Sequence, residues 1–474
     1  MAVKLTKIER FKKWRKIINV AVITGIIGFV PQWVYSQTNA LTINDCIQIA
    51  IKNNSNLKNA QRRVDIAGTN VTSARSNILP SLSASLNPSR TFQSAALYTR
   101  DVPVQNPETG EITFVQQQSI TQESTTSFFT SSLSISQTIY DGGRWWNQIK
   151  QANRNYSSEE YSYENTRKQT IATLVQRYYE YIKSMKLLEV FQQAVESSRE
   201  QLKKTEVMYE LGAVAQADVF RGKVNLGQDM TNLISQQNIV NLNRNNLNIA
   251  MARNPGTPIE IVETNLEIEP LDRTLEETWS MAEQMNPELK SLEERMSASD
   301  YGVKMSKANF LPRITFSANY GRSNSKFDQL YSPIDKNYQI RGSISLSWNI
   351  FNGFSDAASI DRANLNYYID RENLINRKLT LRNEIEQAFL NLQANKEIEL
   401  INLDNIQSAE EDLRLNEERY RVGAGTLLEI VISRVSLTRA RATLISTKYN
   451  KLIYLAELYS KIGNLEEKLS TDLN

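Results

Sequence analysis

Four stretches of the chain alternate polar and apolar residues with period two. In the clearest, Ile340, Gly342, Ile344, Leu346, Trp348 and Ile350 fall on one face. Arg341, Ser343, Ser345, Ser347 and Asn349 fall on the other. The segment before it sets Ile314, Phe316, Ala318 and Tyr320 against Arg313, Thr315, Ser317 and Asn319. Earlier, Leu82, Ala84 and Leu86 oppose Ser81, Ser83 and Ser85, and Leu133, Ile135 and Ile139 oppose Ser132, Ser134, Ser136 and Thr138. Such alternation predicts strands with one apolar and one polar face. Each run has about the 9–11 residues that a tilted strand needs to cross a bilayer. A soluble sheet with one wet face would alternate in the same way. Two features favour the membrane. The polar face is almost wholly Ser, Thr and Asn with an occasional Arg, so that Arg313, Arg341, Ser345 and Ser347 would face a hydrated lumen. Aromatic residues also gather at the strand ends, where an interface would hold them: Tyr140, Trp145, Trp146, Phe310, Phe351 and Phe354.

Elsewhere the period lengthens. Residues 142–209, 353–420 and 214–253 contain no proline. Leu174, Tyr181, Leu188, Val195, Leu202 and Tyr209 recur every seventh residue, as do Ile385, Leu392, Glu399, Ile406, Leu413 and Tyr420. A strict seven-residue repeat predicts a coiled-coil seam, interrupted here by one polar residue, Glu399, whereas a globular amphipathic stripe would drift towards a period of 3.6. At about 1.5 Å per residue, each proline-free run of 142–209 or 353–420 makes a helix about 100 Å long. Helices over 42–77 and 214–253 would together match the first in length, and helices over 274–309 and 426–461 the second. Each long helix could therefore lie beside two shorter ones stacked end to end. Their joints would meet at mid-height, near Asn254 to Pro258 and the segment that follows Gly463.

These elements come in two copies. Tyr209, Gly212 and Asp218 recur as Tyr420, Gly423 and Glu429, and Tyr140-Asp-Gly142 recurs as Phe351-Asn-Gly353, all 211 residues on. Asn77-Ile-Leu-Pro80 recurs as Asn309-Phe-Leu-Pro312, 232 residues on. A hairpin loop that is longer in the first copy accounts for the difference. The expected organisation is a first repeat over 37–265 (helix, β-hairpin 79–140, long helix 142–209, return helix 214–253). A second repeat follows over 266–465 (helix, β-hairpin 311–351, long helix 353–420, return helix 426–461), with a tail over 466–474. Four strands per chain cannot close around a channel, so chains must combine.

Composition refines this picture. The chain has 474 residues, with 55 Lys and Arg against 52 Asp and Glu. The basic excess comes from residues 1–36, which read as a signal peptide: seven basic residues from Lys4 to Lys16, an apolar run from Ile17 to Val30, and a small-residue cleavage site ending at Ser36. An uncleaved N-terminal anchor is the alternative. The balance of the remainder gives no reason to expect nucleic acid. With 0 His and 1 Cys, there is no histidine for a Ser-His triad or a metal site, and no intramolecular disulfide can form. Cys46 reads as a packed helix position. No phosphate-binding Gly-rich loop is present. The expectation is no enzyme and no cofactor.

With the two strand-to-helix junctions at Tyr140-Asp-Gly-Gly143 and Phe351-Asn-Gly-Phe354, and the two Gly turns at 209–219 and 420–430, the chain resembles outer-membrane efflux proteins of the TolC family over residues 41–465. The resemblance implies a mainly α fold with a small membrane β-barrel portion. It implies a homotrimer in the outer membrane, each chain giving four strands to a shared barrel in contact with lipid, and helices forming a tunnel into the periplasm. The implied function is the exit duct of a tripartite efflux or type I secretion system. A periplasmic adaptor would dock at the tip turns Gly212-Ala213 and Gly423-Ala424, and energy would come from an inner-membrane pump of the proton-driven or ATP-binding type. The resemblance also implies that Glu429 lies at the pore constriction and that Asp218 and Tyr420 link neighbouring tip helices. The chain departs from the family pattern one helical turn after Glu429, where Ile432 stands in place of an acid, and at Gly425, in place of a base. Ile432 could form an apolar ring at the constriction. Glu429 also reads as the third residue of a capping box begun by Thr426. The alternative from another class is a structural coiled-coil protein of the cell envelope.

Overall fold

The structure, a computed structural model, describes residues 40–262 and 273–470. The expected signal peptide and residues 471–474 lie outside the described residues. Two helices of 67 residues each form the frame: α3 (Arg144–Glu210) and α7 (Ser355–Arg421). Before them come α1 (Ile43–Asn53) and α2 (Ser55–Ser76) in the first copy, and α5 (Leu275–Met285) and α6 (Pro287–Lys307) in the second. After them come α4 (Gln216–Ala250) and α8 (Leu427–Ile462), and the last element is α9 (Leu465–Ser470). Each long helix packs against a return helix over one half and an incoming helix over the other, α3 against α4 and α2, α7 against α8 and α6. Among the described residues no helix is long and apolar enough to cross a membrane.

The seven-residue seam holds. Ile385 and Leu392 are buried, and Glu399, Ile406, Leu413 and Tyr420 continue the same face half-buried. Glu399 is tolerated there because Lys451 of α8 reaches across to its carboxylate. On α3, Leu174, Tyr181 and Val195 are buried in register, while Tyr209 at the end of the helix is exposed. A coil seam is narrow, and the largest apolar cluster forms instead at mid-height. There α1, α5 and α9 surround the middles of α3 and α7, bringing Ile43, Cys46, Leu174, Tyr178, Leu381, Ile385, Leu458 and Ile462 into one core. Burying such side chains contributes about 1.5–3 kcal/mol each. Burial pushes the Cys46 thiol up to about 12.

Neither incoming helix is continuous. The expected helices over 42–77 and 274–309 break at Asn54 and Asn286. Each of these residues leaves helical geometry (ψ 121° and 119°), and its side chain accepts two backbone N–H groups of the following helix. An asparagine that offers the backbone such a bond ends one helix and caps the next. Pro287 fixes the second break further, because its ring suits the first helical position. Both α1 and α5 open on capping boxes, Thr42 with Asp45 and Thr274 with Glu277. The expected tail over 466–474 begins within a short helix, α9, and its Glu466 pairs with Arg167 of α3.

The strands are β1 (Ser81–Gln93), β4 (Ser124–Tyr140), β5 (Arg313–Asn324) and β6 (Tyr338–Ser347), paired antiparallel in the order β1-β4-β5-β6. The first hairpin is not two strands with a long loop. Its loop folds into a second hairpin, β2 (Ala96–Gln105) with β3 (Ile112–Thr121), forming its own two-stranded sheet. Strand β6 ends at Ser347 rather than Phe351. Its partner β5 starts only at Arg313, after Pro312, so the ladder has nothing further to pair with. The register aligns polar with polar across all four strands: Ser83, Ser134, Asn319 and Arg341 form one row. Leu82, Ile135, Ala318 and Gly342 form the next row, on the opposite face. A bulge between Thr138 and Tyr140 closes β4.

The mid-height joint is locked by charge. Arg377 of α7 donates to Glu288 at 2.8 Å and to Glu384 at 2.9 Å, and Lys461 of α8 also reaches Glu384. Burial alone would raise the Glu384 carboxyl, but hydrogen bonds and charge from Arg377 and Lys461 outweigh it and hold it below its ordinary 4.5. Because this pKa is depressed in the folded state, the stabilisation is fully present above that ordinary value and is lost as pH falls through the lowered one. Glu384→Gln should therefore destabilise the protein by about 1–2 kcal/mol at neutral pH. The gap from wild type should close in acid, as read from unfolding curves at a series of pH values.

Candidate functional site

Two regions carry the residues singled out above: the turns at the far end of the long helices, and the junction between strands and helices. At the first turn α3 ends, Gly212 takes φ +72°, and α4 begins. At the second, α7 ends, Gly423 takes φ +77°, and α8 begins. The same two bonds close both. Gly212 and Gly423 N–H groups donate to Tyr209 and Tyr420, and Ala213 and Ala424 N–H groups donate to Met208 and Arg419. A left-handed residue lets the chain reverse while it satisfies the last helical carbonyls. An added Cβ at Gly212 or Gly423 would meet nothing within 4 Å, so the glycine requirement there is one of backbone conformation alone. Both turns are exposed.

The second turn is the more elaborate. Thr426 caps α8, and Glu429 completes a full capping box. Glu429 Oε2 accepts from the Thr426 N–H at 2.7 Å and its hydroxyl at 3.2 Å, and its own N–H donates back to that hydroxyl at 3.3 Å. Glu429 Oε1 lies 3.5 Å from the Arg419 guanidinium. The backbone hydrogen bond from Thr426, helped by the Arg419 charge, lowers the Glu429 pKa. Helix α8 packs through Leu427, Ile430, Ser433 and Leu437, and this leaves Glu429 half-buried and Ile432 exposed, one helical turn apart.

Arg419 was not singled out from the sequence. Its counterpart in the first copy is Met208, so the duplication carries no trace of it. It explains how the tip has a base although position 425 is glycine. A Cβ at Gly425 would lie 3.1 Å from both the Arg419 Cβ and the Tyr420 nitrogen. A larger residue there would press on the end of α7, and the cation at this turn comes instead from one residue before Tyr420.

Asp218 and Tyr420 lie close without bonding. Asp218 pairs with Arg221 on its own helix at 3.2 Å. The Tyr420 hydroxyl is enclosed and makes no hydrogen bond of good geometry. Burial raises its pKa, the Thr205 hydroxyl beside it partly offsets this, and the Asp218 carboxylate raises it further.

At the other end, Arg313, Arg341, Ser345 and Ser347 share the polar face of the sheet. Arg313 donates to Thr138 at 3.1 Å, Asn319 to Ser134 at 2.7 Å, and Ser317 meets Ser343 at 2.8 Å. The aromatic residues gather where strands become helices. Trp145 and Trp146 lie 5.7 Å apart, Phe351 sits edge-on to Phe354 at 5.5 Å, and Tyr140 closes β4. Gly142 shares the positive φ of the tip glycines, at +70°, and adds a steric reason: a Cβ would come within 2.8 Å of Leu311.

An antiparallel sheet amphipathic across its faces, joined directly to paired helical coils about 100 Å long, is the architecture of an outer-membrane channel protein. The chain belongs to the outer membrane efflux protein family, which matches residues 46–253 and 278–464. It is 23% identical over 426 residues to the probable efflux pump outer membrane protein TtgC of Pseudomonas putida, covering 89% of this chain and 82% of that one. It is 21% identical over 356 residues to the outer membrane protein TolC of Escherichia coli, covering 73% and 71%. Its fold matches the solved structure of CusC with a TM-score of 0.76 at 16% identity, over 89% and 91% of the two chains. It matches the CmeC outer membrane channel of Campylobacter jejuni with a TM-score of 0.73 at 18% identity, over 96% and 97%. The mainly α fold, the outer-membrane location and the absence of enzyme activity follow from the family.

Gly423→Ala touches no neighbour, yet it should destabilise the tip by about 1–2 kcal/mol, because alanine is strained in the left-handed region. Hydrogen exchange should quicken at amides 422–427 and stay unchanged in the mid-height core.

Proposed function

We propose that three copies of the chain form a passive exit duct. Four strands from each close one barrel in the outer membrane, and the helices line a tunnel into the periplasm. The observation that carries this reading is the state of the sheet. It has a polar and an apolar face aligned across its central rows, and among the described residues its outer strands, β1 and β6, each have an unpaired edge. Copies joined β1 to β6 satisfy both edges and close the sheet. The polar face then lines the lumen, and the apolar face meets lipid. The duct holds no energy source. A periplasmic adaptor docks at the turns of Gly212-Ala213 and Gly423-Ala424 and couples the duct to an inner-membrane pump. Relatives that cover 89% of the chain are named for toluene and antibiotic efflux, which favours small-molecule efflux over type I protein secretion. Family membership displaces the envelope-scaffold alternative.

At the tip, Glu429 and Ile432 from each copy approach the axis and form the constriction. A ring of bare carboxylates would select cations. Here Arg419 pairs with each Glu429, so the ring carries little net charge and the constriction is held by ion pairs, with an apolar ring one helical turn farther from the tip. Asp218 and Tyr420, already close, form the link between the two coils when the tip tightens.

A heat-modifiable trimer in outer-membrane fractions tests the assembly, and a stable monomer there would overturn it. The facing of β6 is tested by a pair of arginines. Leu346→Arg should cost up to about 2–4 kcal/mol per chain and lower trimer yield, whereas Ser345→Arg should be mild. Equal tolerance would reject the assignment. Planar-bilayer recordings test the tip. Arg419→Gln should raise cation preference by uncovering Glu429, and Glu429→Gln should shift preference towards anions. If neither substitution changes selectivity, Glu429 is a capping residue and no part of the pore.

A further inference from the structure

The loop between β5 and β6, residues 325–337, is folded rather than open, and it folds to one side. Its clamp is Arg322, which is 2% exposed. The guanidinium donates to the carbonyls of Pro333 at 2.7 Å, Ile334 at 3.0 Å and Lys336 at 2.5 Å, and lies 5.6 Å from the Tyr331 ring centroid. Leu330 is buried beneath the loop. Phe327 sits edge-on to Phe129 at 5.5 Å, and the Tyr331 hydroxyl bonds Ser131.

Strand parity gives the side. Arg322 follows Ile314, Phe316, Ala318 and Tyr320 at spacing two, and Phe129 and Ser131 precede Leu133 and Ile135 in the same way. Every attachment point of the loop therefore lies on the apolar face of the sheet. The loop also lies at the end of the strands remote from the helices. From Ile314 to Arg322 is about 27 Å along the strand, or about 21 Å of depth at the usual barrel tilt, close to the roughly 25 Å apolar band of such barrels. The loop thus begins where hydrocarbon would end.

Its outward surface is apolar as well. Phe327, Tyr331 and Ile334 are exposed, and Tyr338 and Ile340 continue the patch onto β6. The loop's charged residues, Lys326, Asp328, Asp335 and Lys336, balance in sign. An exposed apolar patch of this kind marks an interaction surface. Continuity with the apolar sheet face selects lipid over protein as the occupant.

We propose that this loop is a lipid anchor that folds down over the outside of the barrel and seats Phe327, Tyr331 and Ile334 at the headgroup boundary of the outer leaflet. Together with Tyr320 and Tyr338, whose rings stack at 5.9 Å, it supplies the second aromatic girdle, opposite the one at the strand-to-helix junction. This inference rests on the barrel reading of the sheet.

Spin labels test it in the full-length protein reconstituted into phosphatidylethanolamine and phosphatidylglycerol vesicles. The native Cys46 is 0% exposed with its thiol pushed up to about 12, so an introduced cysteine is labelled selectively. Ile334→Cys is compared with Ile344→Cys on the apolar face, Ser345→Cys on the polar face, and Thr109→Cys in the distal β2-β3 turn. Collision with oxygen should exceed collision with a water-soluble nickel complex at Ile334, as at Ile344. Adding Arg322→Ala should release the loop and lower the oxygen-to-nickel ratio at Ile334 several-fold, towards that of Thr109, and leave Ile344 unchanged. If Ile334 matches Thr109 from the outset while Ile344 still favours oxygen, the anchor is wrong and the barrel stands. If Ile344 and Ser345 report the same environment, the barrel reading fails and the anchor with it.

Discussion

A backbone N–H or C=O left unpaired in hydrocarbon costs several kcal/mol, and among the described residues the outer strands of this sheet, β1 and β6, each have one edge without a partner strand. Much of the structure answers to that constraint. In the proposed barrel, copies of the chain answer it by pairing those edges with one another. The alignment of polar with polar and apolar with apolar rows across the middle of β1, β4, β5 and β6 suits a sheet with one wet and one dry face. The bulge near Tyr140, the close approach at Gly142, the start of β5 after Pro312 and the end of β6 at Ser347 all lie where the sheet hands over to helices. There the backbone changes from pairing between strands to pairing within helices, and no further ladder is needed.

Below that junction the problem becomes one of holding narrow coils together over a length that a single seam supports weakly. The chain solves it at mid-height. Asn54 and Asn286 break the incoming helices, so that α1 and α5 turn in to cover the middles of α3 and α7. Most of the large buried side chains collect there, and the Arg377, Glu384 and Lys461 network ties α7 to α8 at the same level. The coils towards the tip lack such a cluster and are held by seam residues and by polar cross-links such as Glu399 to Lys451, Glu410 to Arg441 and Asp412 to Ser433. That gradient leaves the tip as the part of the frame with the least to lose on moving.

At the tip one side chain serves two purposes. Glu429 closes the capping box that starts α8 and, in the same geometry, meets Arg419. The local role does not exclude the pore role. It positions the carboxylate, because a capping bond to Thr426 fixes the rotamer that any axial ring would use.

The sequence by itself determined the period-two strands and their two faces, the seven-residue seams, the duplication and the positions of both Gly turns. All of these are local or periodic properties, set by side-chain spacing along the chain. It also placed Arg313, Arg341, Ser345 and Ser347 on one face, since parity alone decides that. It missed what depends on residues distant in the chain or on competition between local options. Asn54 and Asn286 look like ordinary polar positions until their side chains are seen capping a second helix. The long first loop became a hairpin because β2 found β3. Arg419 gained its role only when the turn brought it to Glu429, ten residues on, and Arg322 only when a loop folded back over its own strand. Periodicity carries the direction in which a side chain points; only the tertiary structure decides what it meets there.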